Sequence, residues 1–439
     1  MKYDVLVAGA GPAGSTAAME AARLGLSVLL LDKGTHPRFH VGESFLPRNL
    51  ELIRELGLED RLRAIPHTRK LGASLQFGDD ETPTDFLFED GLLDRESGSF
   101  NVARAPFDKM LFDVACERGV DARLGTPVES IDQLDAGGVI ATTSDGRIDA
   151  RVLVDATGQN GVVGRTLGTR RGVPGFEKVA YFGHLEGVPR RDGIQGGLPI
   201  IVMCADGWFW LIPIDETRTS VGSVVDASVA KQAGVPARRM LRWACGRCPA
   251  VWALVRDSDM TEPNRVQADF TYTCSPYAGP GYMLVGDSAV FIDPIFSTGV
   301  CLGMLSGQRA ARLAPDVIAG GDRARRAIAE YHAYVDRASS LYIGLIRGFY
   351  KPAFRELFMR GTGPLGVHRA ILTMLAGHVF PSPAVSIRWR WRFFEMMVSI
   401  QSRVAMVARR QAWSLLDAPP VNDEPASNRS PATEMSVVA

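Results

Sequence analysis

Between Tyr3 and Asp32 the sequence leaves little freedom of fold. Val5-Leu6-Val7-Ala8 is an unbroken apolar run, as a strand buried on both faces requires. Gly9, Gly11 and Gly14 then complete G-x-G-x-x-G, with Pro12 and Ala13 inside it. Ser15–Leu24 has helical composition, and a second apolar run, Val28–Leu31, ends on Asp32. The first glycine permits the tight turn. The second lets the backbone approach a pyrophosphate, and the third lets the helix pack on the sheet. The helix N-terminus offers unpaired N–H groups to phosphates. An acid at the end of the second strand is placed to reach a ribose. Strand, helix, strand and acid in this order predict a dinucleotide site. A structural glycine turn in another α/β protein is the alternative.

The remaining length, 439 residues in all, has room for two or three closely associated domains. Lys+Arg and Asp+Glu both total 49, so no global charge argues for a nucleic-acid partner. Six cysteines in this length do not form a disulfide framework, which fits a reducing cytoplasm. The first apolar run follows Asp4 directly and lacks a basic n-region, so it reads as a strand rather than a signal peptide. No uninterrupted apolar run of about eighteen residues occurs, and no spanning helix is expected.

Past Asp32, Lys33–Pro47 reads as a loop carrying Arg38, Gly42, Glu43 and Ser44. Asn49–Ala64 reads as a helix, and Leu71–Phe77, directly after Lys70, as a strand. Asp79–Ser97 is acidic and irregular, an expected exposed loop or lid. Phe107–Arg118 has helical spacing after Arg104, and a strand over Val152–Val154 runs into Asp155-Ala156-Thr157-Gly158. Val179–Val225 is β-branched and aromatic with Gly and Pro turns, which predicts a mostly antiparallel sheet in a second domain. Ala237–Val255 reads as helical. Tyr282–Asp287 is another apolar strand ending Gly286-Asp287, followed by Asp293-Pro294 and by Ser297-Thr298-Gly299 opening a helix. Asp322–Met374 alternates helices with Gly and Pro breaks. Ile387–Leu416 reads as one long helix. At its spacing Trp389, Phe393, Met396, Met397, Ile400, Val404 and Val407 share a face, with Arg388, Arg392, Arg403 and Arg410 on an adjoining stripe. That face either packs on the body or, with its basic stripe, docks an acidic partner. Ala418–Ala439 lacks periodicity and reads as disordered.

The first-domain fingerprint, Asp155–Gly158 and the late Gly286-Asp287 together resemble the FAD-binding fold of the flavin monooxygenase superfamily. In that family the late aspartate, here Asp287, contacts the ribityl chain. NAD-binding domains do not return to the site so far downstream, so the spacing favours FAD. Within the superfamily the chain resembles flavin-dependent halogenases. Trp208-Phe209-Trp210-Leu211-Ile212-Pro213 is similar to their W-x-W-x-I-P motif. Lys70, directly before Leu71-Gly72-Ala73, lies where the family's active-site lysine lies. Phe291-Ile292-Asp293-Pro294-Ile295-Phe296-Ser297-Thr298-Gly299 is similar to their chloride and flavin loop, and Phe39–Ser44 to the stretch after the second strand. The resemblance covers residues 2–415. No counterpart of the substrate-side glutamate of the free-tryptophan enzymes is present, so the chain is closer to the shorter enzymes acting on pyrroles and phenols, often held on a carrier protein.

This resemblance implies an α/β fold: an FAD-binding Rossmann-like domain from residues 1–75, 100–175 and 280–320, and an antiparallel β-sheet substrate domain from 76–99 and 176–279. A helical C-terminal region, 321–417, and a disordered tail, 418–439, complete it. It implies flavin contacts at Gly9, Gly11, Pro12, Ala13, Gly14, Asp32, Lys33, Arg38, Gly42, Glu43, Ser44, Arg104, Val128, Asp155, Gly286, Asp287, Pro294 and Gly299. Ordinary loop or salt-bridge roles are the alternative for the charged ones. FADH2, delivered by a separate flavin reductase, and oxygen would oxidise chloride or bromide to hypohalous acid. Backbone N–H groups of Thr298 and Gly299, at a helix start, suit the halide, though they also suit a simple helix cap. Lys70 would meet the acid, as a haloamine or through an ammonium hydrogen bond, the neutral route needing a burial-depressed pKa. Trp208 and Trp210, two apart on a strand, point to one face and with Pro213 would wall the substrate from the flavin, unless they are merely core. The substrate would be a small aromatic or heteroaromatic ring, free or on an acyl or peptidyl carrier protein.

Rival readings are a flavin hydroxylase or epoxidase of the same fold, which would not need Lys70, a polyprenyl reductase, and a flavin-binding relative that halogenates nothing. Cys245-Gly-Arg-Cys248 is read as free thiols packed in a helix, with a working dithiol as the alternative. It has no second pair at metal spacing, so no metal site is expected.

Overall fold

The computed structural model describes residues 3–261, 263–268 and 271–419. Its first sheet is centred on Tyr3–Ala8, which pairs in parallel with Val28–Leu31 on one side and Gly146–Asp155 on the other. The register sets Ala8 opposite both Leu31 and Asp155. The ends of three strands are therefore level, and the loops after Ala8, Leu31 and Asp155 converge on one edge. Asp121–Arg123 extends the sheet beyond Val28–Leu31, and Tyr282–Leu284 extends it beyond Gly146–Asp155. Three distant stretches of chain thus build one nucleotide-type sheet. Val5, Leu6, Val7, Leu29 and Leu30 have no exposure, because both faces of a parallel sheet are covered. Helices Pro12–Arg23 and Gly299–Ala319 pack on each other beside it.

The second sheet runs in the order Asp259–Met260, Lys178–Glu186, Arg218–Asp226, Gly207–Pro213, Ile200–Met203, Gly72–Phe77 and Thr84–Leu87. It is antiparallel except where Gly72–Phe77 lies parallel to Ile200–Met203. Side-chain alternation divides Gly207–Pro213 between two cores. Trp208 and Trp210 enter the main core, and Phe209 and Leu211 enter a smaller one with Met240, Leu241 and Val251. Helices Gly321–Phe349, Pro352–Phe358, Val367–Leu375 and Val385–Arg403 form the C-terminal region. No helix among the described residues is long and apolar enough to cross a membrane.

Several expectations change. Asn49–Ala64 is two helices, Pro47–Glu55 and Glu59–Arg63, because Gly57 takes a φ of +68° between them. Ala237–Val255 also divides, into Ala237–Cys245 and Pro249–Val255, with the proline opening the second helix. Asp79–Ser97 is not a plain exposed loop. It contains the edge strand Thr84–Leu87, and Phe86 and Phe88 are buried.

The long helix of Ile387–Leu416 stops at Arg403. Buried Gln401 ends it: its side-chain oxygen accepts from the Met406 and Val407 N–H groups, and its nitrogen donates to the Val407 carbonyl. These bonds turn the backbone out of the helix. The following segment straps across the second sheet, where Arg410 pairs with Asp79 and Asp80 and Leu415 is fully buried. The buried face is also different. Ile387, Trp391, Phe394, Met397, Val398 and Gln401 face inward, so of the expected face Met397 is buried and Phe393 and Val407 are half-buried, whereas Trp389, Met396, Ile400 and Val404 are exposed. Ala418 is packed rather than disordered, and 420–439 of the expected tail lies outside the described residues.

Candidate functional site

At the converging strand ends, a Cβ on Gly14 would lie 1.8 Å from the Gly9 carbonyl oxygen, so only glycine lets the helix start this close to the strand. A Cβ on Gly11 would meet nothing within 4 Å. No side chain caps the helix that begins at Pro12. Open space in front of uncapped N–H groups suits a pyrophosphate. Asp32 accepts from the Ala10 N–H at 2.6 Å, the Gly34 N–H at 2.8 Å and the Arg38 guanidinium. Burial alone would raise its carboxyl, but Arg38 and the two N–H donors hold it below the usual carboxylate range.

Asp287 is different. Its carboxylate has no hydrogen-bond partner among the described residues, and burial, opposed by the charge of Arg104, pushes it up to about 6. A partnerless carboxyl beside this edge suits a ribityl hydroxyl. The edge as a whole therefore fits FAD. Other expected contacts are occupied within the protein. Arg104 grips Asp108 at 2.7 and 2.8 Å and the Val41 carbonyl at 2.9 Å, with Gly42 against it. Asp155 accepts from the Thr157 N–H and hydroxyl and the Val163 N–H, so it shapes the turn after its strand. Lys33 is exposed, Val128 is buried at the start of a hairpin strand, and the buried Ser44 hydroxyl has no partner.

Lys70 ends the short strand His67–Lys70 and is 3% exposed. Its Nζ donates to the Phe45 carbonyl at 2.9 Å and stands 5.2 Å from the Phe88 ring centre. With no carboxylate partner, burial pushes it down to about 7. Lys70 lines a cavity of about 570 Å³ of empty space, counted to its open mouth. Phe86, Phe88, Phe349, Phe358, Leu372 and Leu375 line it, as do Ile295, Phe296 and Ser297 of the late loop. Lys70 and Ser297 are the polar side chains of this lining among the described residues.

The late loop is held by Asp293, whose carboxylate accepts from the Ile295 N–H at 3.0 Å and the Tyr350 hydroxyl at 2.6 Å. Burial raises Asp293 to about 6 against those bonds. Ser297 adopts a left-handed φ of +56°, an arrangement that turns successive N–H groups to one side. The Thr298 and Gly299 N–H groups find no acceptor among the described residues, and no side chain caps the helix that follows. This is a donor pair that suits a small anion.

Trp208 and Trp210 stand 5.6 Å apart on the inner face of their strand, which ends at Pro213 opposite Thr219. Each indole N–H is fixed. Trp208 donates to the Tyr350 hydroxyl at 3.0 Å, which ties it to Asp293. Trp210 donates to Ser220 at 3.0 Å, and Ser220 donates to Glu43 at 3.2 Å. The other Glu43 oxygen meets His184 Nε2 at 2.6 Å. The Glu43 carboxylate thus belongs to the tryptophan anchor. Gly222, across the strand pair, makes room for the Trp210 ring: a Cβ there would lie 2.2 Å from Cζ2. Tyr350, His184 and Ser220 escaped the sequence reading, as did the cavity phenylalanines. Only Gly222 left a signal, a glycine inside a strand.

Cys248 lies nearest Cys204, at 4.0 Å between sulfurs, and burial pushes the Cys245 thiol up to about 12. Neither has the character of a reactive dithiol. No cluster of three metal-capable side chains occurs among the described residues.

Comparison with known proteins adds four findings. Residues 2–333 match the family described as FAD binding domain. The chain is 26% identical over 428 residues to a 1H-pyrrole-2-carbonyl-[peptidyl-carrier protein] chlorinase of Pseudomonas fluorescens, covering 91% of this chain and 94% of that one. It is 30% identical over 334 residues to the corresponding brominase of Pseudoalteromonas luteoviolacea, covering 73% and 79%. The solved structure of the flavin-dependent brominase Bmp2 superposes with a TM-score of 0.80 at 27% identity, over 90% of this chain and 98% of that one.

Proposed function

The chain belongs to the flavin-dependent halogenases of the FAD-binding-domain family, and from that membership we propose that it halogenates a small aromatic or heteroaromatic ring through Lys70. The observation that carries this reading is that Lys70 and the Ile295–Ser297 loop line one apolar cavity. Bound FADH2 with oxygen would supply the oxidising equivalent that converts chloride or bromide to hypohalous acid. It would be held at the Gly9–Gly14 turn, Asp32 and Asp287, and a separate reductase would supply it. The Thr298 and Gly299 N–H groups hold the halide. Lys70 orients the acid beside the ring, either as an ammonium donating a hydrogen bond or as a neutral amine that accepts the halogen. With a pKa of about 7, both forms are available near neutrality. Trp208 and Trp210, each anchored by its indole N–H, keep the ring from the flavin.

A pH series separates the two forms. The neutral amine grows as pH rises through about 7. If it carries the halogen, turnover rises across that point and levels off above it; if the ammonium acts, turnover falls there. The overall reading is tested with reduced FAD, oxygen and either halide on a pyrrole-2-carbonyl carrier protein. A halogen isotope pattern in the product supports it, and a gain of one oxygen supports the hydroxylase instead.

A carrier-bound ring is favoured over a free amino acid. Burying an ammonium and a carboxylate demands polar partners, and the cavity offers only Lys70 and Ser297 among the described residues. A ring whose polar handle stays outside meets no such demand. The exposed face of Val385–Arg403 suits the carrier. Trp389, Met396 and Ile400 are exposed there, beside Arg388, Arg392 and Arg403, which form no ion pair among the described residues. Reversing these three arginines to glutamate should raise KM for a carrier-bound ring about tenfold, mainly through slower association. FAD binding should be unchanged. An unaltered KM would remove this face from consideration.

A further inference from the structure

A second cavity is lined by Tyr350, Arg355, Glu356 and Arg410 with Phe77 and Pro352 as part of its apolar wall. Arg355 is 6% exposed. Its Nε donates to the Phe349 carbonyl at 2.7 Å and its Nη1 to the Cys204 carbonyl at 2.7 Å. Its Nη2 makes no hydrogen bond among the described residues and is not sealed in the interior, so it is the nitrogen left to the cavity. Among the described residues no carboxylate forms an ion pair with Arg355. Asp226 and Asp293 are the acids that act on it from further away, and Asp226 is paired with Lys178. A buried cation with no paired anion is costly, and a bound anion relieves that cost.

The other charges narrow the ligand. Arg410 is committed to Asp79 and Asp80. Glu356 accepts from Gln401 Nε2 at 2.7 Å and from the Arg410 N–H at 3.1 Å, and its charge opposes a polyanion. Two of the five Arg355 N–H groups are spent on carbonyls, and with Glu356 beside the remaining ones the wall disfavours a doubly charged phosphate but suits a weakly hydrated monatomic ion. Tyr350 connects the cavity to the loop, since the same residue lines the cavity and donates its hydroxyl to Asp293.

We propose that the Arg355 guanidinium binds a halide ion in this cavity, as a supply station one residue removed from the Asp293–Gly299 loop. The supply role rests on the halogenation proposed above; the binding itself does not.

Bromide is the probe. Crystals of the full chain grown in bromide should give an anomalous peak within hydrogen-bond reach of Arg355 Nη2, read without turnover. Arg355→Gln should lose that peak. In the halogenation assay it should raise KM for halide about tenfold, with most of the loss recovered at saturating halide, and Arg355→Lys should return part of the affinity. The wild-type crystal decides the matter even if Arg355→Gln fails to fold: no bromide at Arg355 overturns the proposal. An unchanged KM for halide combined with a raised KM for the carrier-bound ring would assign the site to the phosphodiester of the carrier's arm and overturn it as well.

Discussion

Lys70→Met should abolish halogenation and at the same time raise the melting temperature. The two effects share one cause. The lysine is 3% exposed and its pKa falls from 10.5 to about 7 through burial. At about 1.4 kcal/mol per pKa unit, holding the charged amine there costs up to about 5 kcal/mol. Methionine has a similar shape and no charge. It leaves the Phe45 carbonyl without its donor, which takes back about 1–3 kcal/mol. The expected net gain is at most about 2–4 kcal/mol below pH 7, a few degrees in melting temperature for a chain this long. The sign of the pH dependence follows from proton counting. Between about 7 and 10.5 the unfolded lysine binds a proton that the folded one has released, so wild-type stability rises with pH across that window. The advantage of methionine is therefore largest below pH 7 and shrinks toward pH 10. Halogenation should fall about a thousandfold or more, because no other cavity side chain offers an amine. FAD should still bind, since its proposed contacts lie at the strand ends. Melting curves at pH 6 and 9, product mass and an FAD titration check this. A lysine that served only packing would leave activity intact.

What was legible in the sequence was local. Tyr3–Asp32 announces a strand, turn, helix and strand within one stretch, and its register and burial follow from hydrogen bonding and apolar runs alone. The tryptophan strand was legible too, since alternation fixes which residues share a face. The anchors of that strand were not. His184 and Ser220 lie 141 and 177 residues from Glu43, and Tyr350 lies 57 from Asp293. Nothing in the composition around a serine or tyrosine says which distant carboxylate it will meet. The last helix misled for another reason. Trp389, Trp391, Phe393, Phe394, Met396 and Met397 surround its axis, so a hydrophobic period exists for more than one face. Packing against Pro352–Phe358 and Val367–Leu375 chose the face, and buried Gln401 chose the end. The Lys70 position was suggested by its neighbours in sequence, but its pKa is depressed by burial, and two of the rings that line its cavity, Phe86 and Phe88, lie in a stretch whose acidic composition concealed them.

Gly222→Ala should displace the Trp210 indole, and Trp210→Phe should relieve the clash. The added methyl carbon would sit 2.2 Å from Trp210 Cζ2 and 2.3 Å from Cη2. The ring has little room to yield. Its indole N–H is bonded to Ser220, and it packs 5.6 Å from the Trp208 ring and 5.8 Å from Phe182. Forcing a methyl into such a core costs about 1–3 kcal/mol. Shifting the indole would also break its bond to Ser220, the residue that donates to Glu43. If the tryptophans separate ring and flavin as proposed, halogenation should drop about tenfold or more when the indole is displaced. The nearest atoms belong to the six-membered part of the indole, which phenylalanine does not extend to that point. Trp210→Phe alone leaves a void and costs about 2 kcal/mol. The added methyl of Gly222→Ala fills part of that void, so the double variant should be more stable than the sum of the single effects by about 1 kcal/mol or more. Chemical denaturation of the four proteins measures this coupling. Strict additivity would mean that Gly222 is glycine for backbone reasons, and the wall would then owe nothing to the space it leaves.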